Sequence, residues 1–246
     1  MSAYGAVPRN ATELQPSQIY ALKQEGDTEG AYTHMVCVHL RKEDIPLALV
    51  EAMRTSFNET LVEGSTYPFR DPMDQEAFLN YYCGYEIVVG VLVKAPGNPY
   101  RDGDTVSLAE VLGAASDVTR HDLLRDAVAW PKQLGGFYYV KPNYPGRSSH
   151  ICNAGFIVPT QSRGLRLGSV LGRSYLTFAP AFGYLASVFN LVYETNRASF
   201  KIWERLGFEV VGRVPKAGLL RVPNEDREEY VDAFVIYKEF APHSVR

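Results

Sequence analysis

The stretch Gln161-Ser162-Arg163-Gly164-Leu165-Arg166-Leu167-Gly168-Ser169 is the part of this chain best suited to hold a phosphate. It follows an apolar run, Ala154-Gly155-Phe156-Ile157-Val158, and precedes a helix-like pattern over residues 170–181. A strand, an Arg/Gly turn and a helix in succession aim several backbone N–H groups at one point. The start of a helix leaves about four donors without intrahelical partners and carries a partial positive charge. A pyrophosphate is the ligand such a point accepts.

The elements that must hold this turn follow from hydrophobic periodicity. Residues 32–40 alternate and are rich in β-formers, which predicts a strand. Residues 44–61 carry Leu47, Leu49, Val50, Met53 and Phe57 at helical spacing, with Pro46 in the first turn, where proline is tolerated. Residues 73–82 read as a short helix with Phe78, Leu79 and Tyr82 on one face, and Glu86–Val93 as a buried strand. Turn residues at 96–99 and 101–104 and short helical pieces at 108–114 and 121–128 mark residues 95–132 as an insertion between adjacent strands, expected at the surface.

The sheet resumes at residues 136–142 and again at 149–158, where Gly155 signals a bulge or a close backbone approach. A helix to about Phe182 and a strand at 186–193 come next. The helix at 197–206 is capped by Thr195 or Asn196 and stopped by Gly207. Strands at 208–212 and 230–238 complete a mixed α/β order without internal repeats.

The bulk numbers set bounds. The chain has 246 residues, 46% of them apolar, with 16 Tyr, 12 Phe and 2 Trp, enough for one large core. A net charge of −3 provides no basic field, so nucleic acid is not an expected partner. No apolar run reaches the roughly 18 residues of a membrane span, so no membrane association is expected. Residues 1–30 are polar and lack the apolar core of a secretory signal, and they are expected to form a disordered arm preceding a single domain over 31–240. Cys37, Cys83 and Cys152 are far apart, which fits a reducing, cytoplasmic setting and argues against a structural metal.

The element order, with the Arg/Gly turn after the fourth strand of this reading, resembles the Gcn5-related N-acetyltransferase superfamily. A second anchor is Asn196-Arg197-Ala198-Ser199-Phe200-Lys201-Ile202-Trp203-Glu204-Arg205-Leu206-Gly207-Phe208, which is similar to that family's N-x-x-A-x-x-x-Y-x-K-L-G-F segment. Further stretches are similar to the fungal azetidine-2-carboxylate N-acetyltransferases, which act on proline-like imino acids. These are Phe137-Tyr138-Tyr139-Val140-Lys141-Pro142-Asn143-Tyr144, Cys152-Asn153-Ala154-Gly155-Phe156, Val188-Phe189-Asn190-Leu191-Val192 and Pro215-Lys216-Ala217-Gly218.

The resemblance implies an α/β fold with a mixed, mostly antiparallel sheet, splayed central strands and flanking helices. It implies acetyl-CoA as co-substrate with no metal, a small amine as acceptor, detoxification of proline analogues, and a homodimer. The backbone of Phe156, Ile157 and Val158 would pair with the pantetheine. The amides of Arg163, Gly164, Leu165, Arg166, Leu167 and Gly168 would cradle the pyrophosphate, and Asn196 would reach the cofactor. Arg166 departs from the family's glycine. It would need an ordinary helical φ, available once the helix has begun.

Acyl transfer to an amine needs a neutral nitrogen, support for an oxyanion and, in some enzymes, an acid for the leaving thiolate. The two strands where many relatives carry a glutamate base have no carboxylate in Ile151-Cys152-Asn153-Ala154 or Ser187-Val188-Phe189-Asn190-Leu191. The relatives' tyrosine acid is Trp203 here. Catalysis by positioning is therefore expected. Asn153 and Asn190 are the leading catalytic candidates. Each lies mid-strand among apolar neighbours, where an amide destabilises unless its bonds are satisfied. An amide can donate to a carboxylate and accept from an amine.

His150 as base, Cys152 as acyl acceptor, and Tyr67, Tyr82 and Tyr144 as pocket walls are weaker candidates. Two other readings fit the sequence. One is acetylation of a protein lysine, an N-terminus or a polyamine. The other is a non-catalytic CoA-binding module.

Overall fold

The computed structural model describes residues 13–23, 32–95 and 100–240. Its strands form one nine-stranded sheet in the order β4-β1-β2-β3-β5-β6-β7-β9-β8. The strands are β1 (Ser17–Ala21), β2 (His34–Leu40), β3 (Glu86–Val93), β4 (Asp104–Val106), β5 (Leu134–Pro142), β6 (Ile151–Ile157), β7 (Ala186–Tyr193), β8 (Glu209–Arg221) and β9 (Glu228–Glu239). The helices are α1 (Leu47–Glu63), α2 (Gln75–Tyr82), α3 (Leu108–Leu112), the short α4 (Arg120–Asp122), α5 (Leu167–Ala181) and α6 (Arg197–Arg205). Neighbouring strands are antiparallel except β6 and β7. The expected mixed, mostly antiparallel sheet flanked by helices is present.

The central strands read as continuous apolar runs because both faces are covered. Along β3, Ile87, Val89, Val91 and Val93 face a core shared with α1 and α2, while Val88 and Leu92 face a core shared with α5. β5 divides the same way, with Phe137 and Tyr139 on the first side and Tyr138 and Val140 on the second. Side chains alternate with a period of two, so each strand feeds both layers. α1 begins after Pro46, whose missing N–H costs nothing at a helix start.

Two expectations change. The arm expected over residues 1–30 contains β1, where Ile19 is fully buried and Tyr20 nearly so. All seven residues of β2 are buried, so its outer edge needs a partner, and β1 supplies it from Gln18↔Cys37 to Ala21↔His34. Residues 1–12 and 24–31 lie outside the described residues. The insertion is likewise not confined to the surface. β4 pairs with β1, and Leu108, Ala109, Leu123, Leu124 and Val128 enter the core beside α1. Its short elements lack periodicity long enough to show that contribution.

Phe57 of α1 is fully buried and meets the rings of Tyr67, Phe78, Tyr81 and Tyr82 at centroid distances of 5.1–5.9 Å. This cluster carries the α1–α2 layer. Phe57→Ala is expected to lower the unfolding free energy by about 3–5 kcal/mol, read from the urea midpoint.

Candidate active site

β6 and β7 pair only at Ile151↔Ala186 and Cys152↔Ser187, and beyond that they part. The cause lies on their other edges. β6 stays in register with β5 from Cys152 to Ile157. β7 follows β9 but slips register between Phe189 and Val192. That irregularity bends the strand at Asn190 and Leu191, as a β-bulge does. The gap opens into a cavity of about 570 Å³ that runs from the end of α1 past β6 to the start of α6.

Phe156, Ile157 and Val158 line the gap. One edge of β6 is held by β5, through Tyr138↔Phe156 and Phe137↔Ile157, and the other has no strand beside it past Cys152. An extended ligand carrying amides fits such an edge. After Pro159 the chain makes a short turn at Thr160–Ser162 and enters α5 at Leu167. Arg163 and Gly168 line the cavity, Gly164, Leu165 and Arg166 are exposed in the turn, and the Leu167 side chain is buried in the core behind it. The 15-residue α5 directs its positive end here. This arrangement suits a pyrophosphate. Arg163 is already engaged, with two bonds to Glu63 at 2.8 and 3.0 Å.

Arg166 corrects an expectation. It does not take a helical φ but a left-handed one, with φ 57° and ψ 21°. The helix begins one residue later, so position 166 is still part of the turn. An arginine there carries a steric cost of about 1–2 kcal/mol that glycine avoids.

Asn196 caps α6, accepting from the Ser199 N–H at 3.2 Å, and also lines the cavity. Trp203 is buried. Its indole donates to the Ser199 hydroxyl at 3.0 Å while its rings pack on Phe156 and Phe189 at 4.8 and 4.7 Å. It forms a wall.

The structure brings Asn153 and Asn190 together through a third amide. Asn143 Oδ1 accepts from Asn153 Nδ2 at 3.0 Å and from Asn190 Nδ2 at 2.7 Å. All three residues line the cavity. Asn143 is itself 8% exposed and held by its backbone N–H on the Ile151 carbonyl at 2.9 Å. Sequence reasoning missed this residue as a site member, because an asparagine just after a strand reads as a turn former. Its burial beside a proline-ended strand was the available signal.

Beneath the amides lies an aromatic floor. The Tyr67 and Tyr193 hydroxyls are buried in the cavity lining, and neither has a hydrogen-bond partner of good geometry among the described residues. Burial pushes the hydroxyls of Tyr67, Tyr81 and Tyr139 above the ordinary tyrosine range, so these groups stay protonated and act as donors. Gly155 permits this floor, because a Cβ there would sit 2.2 Å from the Tyr67 hydroxyl and 2.7 Å from the Tyr139 ring. The close approach expected at Gly155 is therefore present. Lys141, across from Asn153 on β5, places its ammonium 4.7 Å from the Tyr139 ring centre and 5.1 Å from that of Tyr81. It too was missed by sequence reasoning.

Of the weaker candidates only Tyr67 lines the cavity. His150 is exposed and outside the lining. Cys152 is fully buried, with its Sγ 3.0 Å from the Tyr175 hydroxyl. Tyr82 is fully buried and gives its hydroxyl to the Gly155 carbonyl at 2.7 Å. Tyr144 is not in the lining, whereas Tyr67 is. The only carboxylate in the lining is Glu63, paired with Arg163. Among the described residues, the cavity lining therefore offers no free carboxylate base. All three cysteines are buried thiols. No helix of the described residues is long and apolar enough to cross a membrane.

Comparisons with known proteins bear on the fold and on the relationship. No protein-family model matches the chain. It is 34% identical over 192 residues to N-acetyltransferase aca1 of Schizosaccharomyces pombe, covering 78% of this chain and 80% of that one. It is 28% identical over 244 residues to Protein SPT10 of Saccharomyces cerevisiae, covering 93% of this chain but 36% of that longer protein. A Gcn5-related N-acetyltransferase from Kribbella flavida superposes with TM-score 0.57 at 24% identity, over 82% of this chain and 97% of its own. The fold is shared as well by yncA of Salmonella typhimurium, solved with its cofactor acetyl-CoA (TM-score 0.57, 15% identity, 86% and 97% coverage). The chain belongs to the Gcn5-related N-acetyltransferase superfamily. By its relationship to aca1 it is an N-acetyltransferase, and acetyl-CoA is the cofactor found in its fold neighbour yncA.

Arg166→Gly should relieve the left-handed strain, and the gain is partly offset by glycine's freedom when unfolded. The net expectation is unchanged or higher stability, by up to about 1 kcal/mol in thermal melts, with acetyl-CoA still bound. A marked loss of acetyl-CoA affinity would instead assign the Arg166 side chain to the phosphates.

Proposed function

We propose that this acetyltransferase moves acetyl to the nitrogen of a small proline-like imino acid, of the azetidine-2-carboxylate or hydroxyproline type, and thereby detoxifies proline analogues. The observation that carries this reading is the cluster of Asn143, Asn153 and Asn190 at the point where β6 and β7 part. Asn143 orients the other two. Its oxygen takes one N–H of each and its own amide donates to Asn190 Oδ1 at 3.4 Å, leaving each partner a second N–H and at least one carbonyl lone pair. An imino acid bears a nitrogen and a carboxylate on the same carbon. Paired amides match that donor and acceptor demand without adding charge.

The β8–β9 hairpin is tied to the segment after α1. The Arg221 N–H donates to the Gly64 carbonyl at 3.0 Å, and Arg70 pairs with Glu228 at 3.1 Å. These contacts brace one side of the cavity, where a peptide acceptor would want an open groove.

Acetyl-CoA supplies an activated thioester. The edge of β6 and the start of α5 hold it in reach, and the amides orient the neutral amine toward its carbonyl carbon. A C–N bond forms as the C–S bond breaks, and the proton lost by nitrogen passes to the departing thiolate, which leaves as the free thiol of CoA. Rate enhancement comes from orientation, which can lower a barrier by about 7–11 kcal/mol. Trp203 and the buried tyrosines exclude water from the reacting atoms.

Two measurements test this. With acetyl-CoA, free thiol should appear on addition of azetidine-2-carboxylate. Release with a lysine peptide alone would replace the proposed acceptor by a protein amine. Asn190→Ala removes a hydrogen bond to a charged substrate. It should lower kcat/KM for azetidine-2-carboxylate by about 10–100-fold, with acetyl-CoA binding near that of the unaltered protein. An unchanged kcat/KM would take Asn190 out of the site.

A further inference from the structure

Lys141 is a cation without an anion. It lies in the cavity lining, and no carboxylate among the described residues pairs with it; the one acid in that lining, Glu63, is taken by Arg163. Its ammonium rests between the Tyr139 and Tyr81 rings, at 4.7 and 5.1 Å from their centres. Such ring contacts are worth about 0.5–2 kcal/mol and offset only part of the cost of taking an ammonium out of water. That residual cost shows in its acidity, since burial lowers the Lys141 pKa below the ordinary lysine value. A charge held in this state is answered by an anion that arrives with the ligand.

Its position says which anion. Lys141 is the cross-strand partner of Asn153 in the β5–β6 pair, and such side chains stand on the same face of the sheet, about 5 Å apart at Cβ. The anion it meets therefore lies one side-chain width from the amides that orient the amine. Amine and anion must then belong to one small molecule, with the two groups on neighbouring atoms.

We propose that Lys141 binds the carboxylate of the acceptor and makes the enzyme selective for α-amino or α-imino acids over uncharged or cationic amines. This assignment rests on the imino-acid reading above and adds the residue that enforces it. The selectivity has two sides. The ammonium attracts a carboxylate, and it repels a polyamine or a lysine side chain, which would bring a second positive charge to the same face. The paired carboxylate also screens Lys141 from the reacting nitrogen. The amides contact both ends of the substrate, whereas Lys141 distinguishes an acid from its neutral counterpart.

The test compares azetidine-2-carboxylate with azetidine-2-carboxamide, which keeps the ring nitrogen and loses the charge. Thiol release is followed for the unaltered protein, Lys141→Met and Lys141→Arg. The methionine side chain keeps most of the apolar bulk between the two tyrosines, and thermal melting with acetyl-CoA binding verifies that each variant is folded. The unaltered enzyme should prefer the acid by about 10–100-fold in kcat/KM, chiefly through KM. Lys141→Met should collapse that ratio to within about threefold by raising KM for the acid, and Lys141→Arg should restore part of it.

If the unaltered enzyme acetylates the acid with a ratio that Lys141→Met leaves untouched, the assignment of Lys141 is overturned and the proposed reaction stands. If it acetylates a lysine peptide and neither azetidine compound, the proposed reaction fails, and this assignment with it.

Discussion

The candidate active site exists because two neighbouring strands cannot stay together. β6 and β7 are the one parallel pair among the described strands, and they share only two residue pairs before separating. Each is bound more firmly on its far edge, β6 to β5 and β7 to β9. The irregularity in β7 at Asn190 turns that strand away, and α5 fills the space behind. Without the separation, the backbone at 156–158 would be consumed by pairing, and Asn153 and Asn190 would face a closed ladder.

The gap has polar walls on a largely apolar frame, and that contrast gives it chemical direction. Polar groups inside a protein are tolerated only when their hydrogen bonds are met. Asn143 meets part of the demand by bridging its two neighbours, which also fixes their orientation before any ligand arrives. The Tyr67 and Tyr193 hydroxyls and the Lys141 ammonium are left with unmet demand on the same cavity. Unmet polar groups next to preorganised ones suit a ligand that brings an amine and an acid together.

Much of the fold was legible because its patterns are strong and local. β3 is an unbroken apolar strand, α1 has its core residues at helical spacing, and the Arg/Gly turn marks the start of α5. Asn153 and Asn190 stood out as amides in apolar strands. β1 and β4 were not legible. Each is short and lacks a periodic run of its own, and their reason for being strands is the bare edge of β2, a demand made by a distant segment. Arg166 misled for a related reason. Residue type argued for a helical φ, and the position of the helix start, decided by the packing of Leu167 and Val170 into the core, required the opposite.

The sequence by itself determined the superfamily, the order of most elements and the segments that line the cavity on the β6 and α5 side, since these depend on local periodicity and on motifs within single stretches. Only the tertiary structure decided which amides touch, that Asn143 joins them, and that Lys141 stands alone between two rings. Those relations join β5, β6, β7 and α2 across sequence separations of 10 to 60 residues. Burial and the distance between side chains from different strands are properties of the packed chain, and no single segment encodes them.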